Sequence, residues 1–178
     1  MTHRVHPRPF GSAKIESERG SNSDVDVLVV GAGPTGLTAA AEALRHGLSV
    51  RIIERLPARG TFSKALVVHA RTMEVFTLMG VEREVLERGV PFAALNLNFK
   101  NRKRRVRVDL LDQPWGDTDY PYWLSVPQHD TEHVLEKHLK SFGGAVEWST
   151  TLESLTDSGD LVEATVSGER GTELIRAQ

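Results

Sequence analysis

The stretch Asp26-Val27-Leu28-Val29-Val30-Gly31-Ala32-Gly33-Pro34-Thr35-Gly36-Leu37 decides the fold. A β-type apolar run enters a G-x-G-x-x-G turn, and a helix-forming run leaves it, which is the context that gives such a glycine pattern its meaning. A second β-type run, Leu48-Ser49-Val50-Arg51-Ile52-Ile53, ends in Glu54, 18 residues after Gly36. The two strands and the helix between them make a βαβ unit, with an acid where a ribose 2′-hydroxyl lies in dinucleotide-binding folds. Gly31 suits the tight turn off the strand, Gly33 a close approach of backbone to a pyrophosphate, and Gly36 close packing of helix on strand. The helix, read over residues 35–46, aims its free N–H groups and positive dipole end at the phosphates. Ala39, Ala40, Ala41 and Ala43 favour it, and Gly47 stops it. A glycine turn that served only to pack the unit would have no use for Glu54 at the strand end.

The rest of the composition excludes more than it identifies. The chain has 178 residues, 39% hydrophobic and 26% charged, which suits one globular domain with a real core. A formal net charge of -2 supplies no global reason for nucleic-acid or membrane binding. The absence of cysteine rules out disulfides, thiol catalysis and zinc–thiolate sites, and accords with an expected cytoplasmic location. No apolar run approaches the ~20 residues that span a bilayer. Residues 1–23 read as a disordered polar leader without the hydrophobic stretch of a secretory signal. Its His3 and His6 are read as solvated, and no metal site is expected.

After Glu54 comes a loop over residues 55–61. Helical spacing follows over residues 68–80, where Met73, Phe76 and Met79 recur at three-residue steps to form one buried stripe. A short helix over 82–88 should end at Gly89. Residues 94–99 and 106–110 alternate apolar and polar, which predicts an antiparallel hairpin. Its basic tip carries six cationic side chains within residues 100–107, read as a solvated end rather than a phosphate-binding surface. The aromatic loop Trp115-Gly116-Asp117-Thr118-Asp119-Tyr120-Pro121-Tyr122-Trp123 is read as packing over the sheet, with lining of a planar substrate's pocket as the second possibility. A helix over about 130–141 buries Val134, Leu135, Leu139 and Phe142. Residues 145–148 return to the sheet, and three β-type runs over 151–155, 162–166 and 173–175 read as a meander.

Residues 26–54, then Ala70-Arg71-Thr72-Met73-Glu74, then Pro127-Gln128 before a helix, resemble the class A flavoprotein monooxygenases, the FAD-dependent aromatic hydroxylases similar to para-hydroxybenzoate hydroxylase and phenol hydroxylase. The resemblance covers residues 24–178. It implies FAD as cofactor, NADH or NADPH as cosubstrate, and dioxygen as the source of a hydroxyl placed on a phenolic or other aromatic ring. The implied cofactor-binding residues are Gly31, Gly33, Pro34, Thr35, Gly36, Glu54, Arg55, Arg71 and Gln128. Among them Arg71 resembles the arginine that reaches the flavin pyrophosphate, a task suited to a permanently charged fork of donors. Gln128 resembles the glutamine near the ribityl–phosphate portion. Taken alone, Arg71 also fits an exposed charge at a helix start, and Gln128 a helix cap.

The expected architecture is therefore α/β: a Rossmann-like FAD-binding βαβ domain with an inserted β-hairpin and a β-meander, truncated before the substrate domain. Residues 24–178 are expected to be an incomplete FAD-binding domain. In relatives, later Asp-Gly and Gly-Asp motifs and most of the substrate-binding sheet should lie beyond Gln178, so no catalytic residue is assigned and the chain alone is expected to be inactive. A C-terminal complementing chain would then be the expected partner, besides the small aromatic substrate. Two other readings stay open: a non-catalytic FAD- or ADP-binding module or inactive remnant, and an NAD-dependent dehydrogenase, since Glu54 suits NAD as well.

Overall fold

The computed structural model describes residues 24–60, 67–98, 105–111 and 116–178. The expected disordered leader, the basic tip at residues 100–104 and Trp115 lie outside the described residues. The chain order is β1 (Val27–Val30), α1 (Pro34–Arg45), β2 (Val50–Ile53), β3 (Val67–Val68), α2 (Ala70–Met79), α3 (Glu82–Arg88), β4 (Val90–Pro91), β5 (Ala94–Asn98) and β6 (Arg105–Asp109). It continues through β7 (Leu124–Ser125), α4 (Gln128–Ser141), β8 (Val146–Glu147), β9 (Thr151–Asp157), β10 (Val162–Gly168) and β11 (Gly171–Ala177). The fold is mixed α/β.

The parallel sheet has the order β1-β2-β8. The right-handed rule for β-α-β crossovers places α1 on one of its faces, and α4 packs beside α1. Alternation along β2 divides the interior, because neighbouring side chains on a strand point to opposite faces. Ile52 enters a core shared with Leu37, Ala40 and Ala41 of α1, Met73 and Phe76 of α2, and Val134, Leu135 and Leu139 of α4. Ile53 faces the other way, into a smaller core with Ala164, Val166 and Ile175 from an antiparallel sheet ordered β11-β10-β9. Both isoleucines are almost fully buried, worth about 1.5–3 kcal/mol each in transfer free energy. Arg51, on the same strand face as Ile53, ties β2 to β8 and to β11. Its guanidinium donates to both carboxylate oxygens of Glu147 at 2.7 and 2.6 Å and to Glu173 at 2.6 Å.

Several elements follow their sequence periodicity. Met73, Phe76 and Met79 are the buried residues of α2, and Gly80 closes that helix in the left-handed conformation. Strand β5 pairs antiparallel with β6, Leu95 opposite Val108 and Leu97 opposite Val106. The loop over 117–123 packs on α2: Tyr120 Oη lies 2.5 Å from Thr77 Oγ1, and Thr118 Oγ1 donates to Glu74 at 2.7 Å.

Other elements depart from it. Val68 belongs to a strand and not to the following helix, which starts at Ala70. Strands β3, β7 and β4 form a small antiparallel sheet of two-residue strands, too short to show a period of two. Helix α4 begins at Gln128 rather than near 130, because Pro127 at its N-cap holds φ at -59° and leads directly into the helix. Phe142 is a C-cap residue 37% exposed rather than a core residue, and its ring meets His138 edge-on at 5.0 Å. In its stead α4 buries Thr131, Glu132 and Glu136.

Candidate functional site

The three glycines of the turn have separable reasons to be glycine. Gly31 leaves β1 with φ +102°, where a side chain is strained, and its N–H donates to Ile53 O at 2.8 Å. At Gly36 a Cβ would stand 1.9 Å from Gly31 O, so close packing of α1 on the turn demands hydrogen there. Gly33 is different. Its φ is -75°, which any residue adopts, and a Cβ would meet nothing within 4 Å. The fold itself places no demand on this position, and the open space lies at the start of a helix.

That helix, α1, has Gly33 at its N-cap, Pro34 in its first turn and no side-chain capping bond. Pro34 has no N–H to leave unpaired. The N–H groups of Thr35 and Gly36 belong to the first turn, which has no intrahelical acceptors, so together with the helix dipole they favour an anion.

Glu54 follows β2 directly, and its backbone N–H donates to Glu147 O at 2.9 Å. One carboxylate oxygen accepts the Ala32 N–H at 2.9 Å, and the other accepts the Leu56 N–H at 3.0 Å. The acid is thereby fixed to the glycine turn on one side and to its own loop on the other. An ionised carboxylate has about four lone-pair sites, so two amides leave acceptor capacity for hydroxyl donors.

Two adjoining clefts meet at this point. One, about 250 Å³, is lined by Gly33, Glu54, Arg55, Gln128, Glu132 and Trp148 among others. The second, about 240 Å³ and more apolar, is lined by Pro34, Thr35, Val68, Thr72, Val126 and Gln128 among others. Gln128 borders both. As the first residue of α4, it donates from Nε2 to Glu132 Oε1 at 2.7 Å. A larger cavity, about 660 Å³, lies elsewhere, between the Arg51–Glu147–Glu173 ion cluster and the β10–β11 turn. It contains none of the glycine-turn residues.

Of the nine residues expected from the sequence, Gly33, Pro34, Thr35, Glu54, Arg55 and Gln128 line these two clefts, and Gly31 and Gly36 shape the turn beneath them. Arg71 is not brought in. Its side chain is 75% exposed and is paired with Glu74 at 2.6 Å and Asp117 at 3.5 Å, while its neighbour Thr72 lines the second cleft. The hydrogen bond from Arg71, with a second from Thr118, holds the Glu74 carboxyl below the usual carboxylate range.

Among the lining residues that were not anticipated are Arg59, Glu132 and Trp148. Arg59 returns from the loop after β2 and pairs with Glu136 of α4. Burial pushes the Glu136 carboxyl up, but hydrogen bonds from Lys140 and Arg59 outweigh it and hold the group below its ordinary value. Glu132 did carry a signal, since it stands four residues after Gln128 on one helical face. Among the described residues no cluster of three His, Cys, Asp or Glu could hold a metal ion, and no helix is long and apolar enough to cross a membrane.

Residues 24–178 match the model of a family described as an FAD binding domain. The chain is 36% identical over 154 residues to pentachlorophenol 4-monooxygenase of Sphingobium chlorophenolicum, which covers 86% of this chain and 28% of that protein. Among solved structures it is similar to anhydrotetracycline hydroxylase from Streptomyces rimosus, with TM-score 0.74 and 32% identity over 86% of this chain and 30% of that one. It is also similar to aklavinone-11 hydroxylase in a ternary complex with FAD and aklavinone, with TM-score 0.77 and 28% identity over 88% of this chain and 32% of that one. The chain thus spans less than a third of the length of these relatives.

Proposed function

This chain belongs to the FAD binding domain family of the aromatic flavoprotein monooxygenases, with FAD as cofactor, and from that premise we propose that residues 24–178 form the adenosine and diphosphate half of an FAD site within a phenol-hydroxylating enzyme. Glu54 accepts the adenosine ribose hydroxyls. The diphosphate rests over Gly33 against the first-turn N–H groups of Thr35 and Gly36, beside Pro34 and above the turn made by Gly31. Arg55 borders the adenosine end, and the remainder of the cofactor passes Gln128 into the second cleft. Arg71 joins the diphosphate by exchanging Glu74 and Asp117 for a phosphate, a movement its exposure leaves unobstructed.

The observation that carries this reading is Gly33, a residue kept without a side chain at the mouth of a helix where the fold would accept one. A diphosphate seated there supplies the missing neighbour. Bound FAD supplies the redox and dioxygen chemistry, while the chain's own residues bind and orient it. On this reading residues 24–178 are an incomplete FAD-binding domain, with NADH or NADPH as the electron source, and hydroxylation of a phenolic ring needs the further sequence present in the relatives. A C-terminal complementing polypeptide would provide it.

The test is an equilibrium titration of the 178-residue chain with FAD, followed by flavin fluorescence, with Glu54→Ala in parallel. Losing hydrogen bonds to a charged acceptor should weaken binding at least about tenfold. A folded chain that binds no FAD, or binds it equally well without Glu54, would contradict the proposal.

A further inference from the structure

We infer that a further cleft of about 420 Å³, lined by Arg59, Gly60, Arg88, His129, Asp130 and His133, is a binding site for a phosphate group. It lies beside the Glu54 cleft, with which it shares Arg59 and Gly60. None of the residues assigned above to FAD lines it. Three elements converge on it: the loop after β2, the last residue of α3 and the first two turns of α4. Four of the six lining residues carry basic side chains, and one carries an acid.

The cleft is rich in donors and short of acceptors. Asp130 is its one lining carboxylate, and its cationic neighbours stand off, Arg88 Nη1 at 3.5 Å and His129 Nε2 at 3.4 Å. Both contacts exceed the roughly 2.7–3.2 Å of a formed hydrogen bond. Arg59 turns Nη2 toward Glu136, and Arg88 donates from Nη2 to Glu84 at 3.2 Å. Neither carboxylate belongs to its arginine alone. Lys140 holds Glu136 at 2.7 Å, and Lys137 holds Glu84 at 2.8 Å. Four cations thus meet three carboxylates around the cleft, an excess of positive charge before either histidine is protonated. Among the described residues Arg59 Nε and His129 Nδ1 are buried without a hydrogen-bond partner, a cost that an incoming acceptor relieves. A phosphate presents oxygens in several directions at once, which suits donors arriving from three elements and the fork of a guanidinium. A carboxylate offers two oxygens in one plane. The volume also leaves room for part of the molecule that carries the phosphate.

The test adds inorganic phosphate to the 178-residue chain at constant ionic strength, followed by nitrogen–proton correlation of the backbone amides and of the Arg59 Nε–H. Saturable shifts are expected at Gly60, His129, His133 and the Arg59 side chain. Arg88→Gln and His129→Gln should each weaken phosphate about three- to tenfold, while Gly33→Ala should leave it unchanged. Arg88→Gln leaves Glu84 with Lys137, so the variant keeps its fold, which a thermal melt checks. Arg59 is left in place, because its loss would take a partner from buried Glu136. NADPH compared with NADH separates the sources of the phosphate. A preference for NADPH that Arg88→Gln removes marks a phosphate carried on a nucleotide; saturable phosphate with equal binding of the two dinucleotides marks a phosphate from another source, and either upholds the site. No saturable shift, shifts confined to the glycine turn, or phosphate affinity undiminished in both variants would overturn it.

Discussion

Adding one methyl group at Gly33 and one at Gly36 should separate ligand binding from folding. At Gly36 the new Cβ would lie 1.9 Å from Gly31 O, 3.1 Å from Gly31 C and 3.3 Å from a Val29 methyl. Ordinary contact for such atoms is near 3.4 Å or more, so turn and helix must part by more than an ångström. Overpacking of this kind costs about 1–3 kcal/mol or more. For a domain of this size each kcal/mol lowers Tm by about 2–4 °C, so Gly36→Ala should melt roughly 2–12 °C lower. At Gly33 the φ of -75° is ordinary and the Cβ meets nothing within 4 Å. Replacing an N-cap glycine by alanine there trades a modest capping loss against reduced unfolded-chain entropy, each about 1 kcal/mol or less. Gly33→Ala should therefore keep Tm within about 3 °C, yet its methyl occupies the diphosphate's place and should weaken both FAD and ADP by at least tenfold. Differential scanning fluorimetry and fluorescence titration on the same samples give both readings. Gly33→Ala with unimpaired binding of FAD and ADP would rule out a diphosphate over Gly33, because the open space at that position would then have no ligand to explain it.

Arg71→Ala should lower affinity for both FAD and ADP by about three- to tenfold with Tm nearly unchanged, since the Arg71 side chain is itself 75% exposed and its pairs with half-buried Glu74 and exposed Asp117 are surface pairs that contribute little; unchanged titration curves would remove Arg71 from the site. His138 predicts a pH effect on stability. Burial, the largest influence, holds its pKa below the ordinary imidazole value near 6.5, and its Nε2 is buried without a hydrogen-bond partner. The unfolded chain therefore takes up this proton first, and stability should fall as pH drops below about 6.5, levelling only once the folded imidazole is also protonated. Thermal melts from about pH 7.5 to 5.5 should show that decline, and His138→Gln should flatten it; identical slopes in both proteins would refute the assignment.

The legible parts of this chain were those whose cause is local. Gly31, Gly36 and the strands on either side are dictated by turn geometry and alternation. Met73, Phe76 and Met79 announce a helix face by spacing alone, and Glu54 is placed by its distance from the glycine turn. The illegible parts depend on where distant segments meet. Strands β3, β4 and β7 are two residues each and exist because three loops converge. Arg59 reaches the cleft wall through a pairing with Glu136, 77 residues away. Glu132 and Glu136 sit on the buried side of α4, where polarity patterning predicts apolar residues, because Gln128, Arg59 and Lys140 supply them with partners. Glu54 alone suits NAD as well as FAD, and the family match settles that choice for FAD.

On the proposed reading, the glycine turn and Glu54 together hold the adenosine diphosphate end of FAD. The most direct measurement is the movement of backbone amide resonances in the 178-residue chain as FAD is added, observed by nitrogen–proton correlation. Saturable shifts are expected at Ala32, Gly33, Thr35 and Gly36, reproduced by ADP. Shifts confined to the cavity beside Arg170 and Gly171, with the glycine turn unmoved, would contradict that reading.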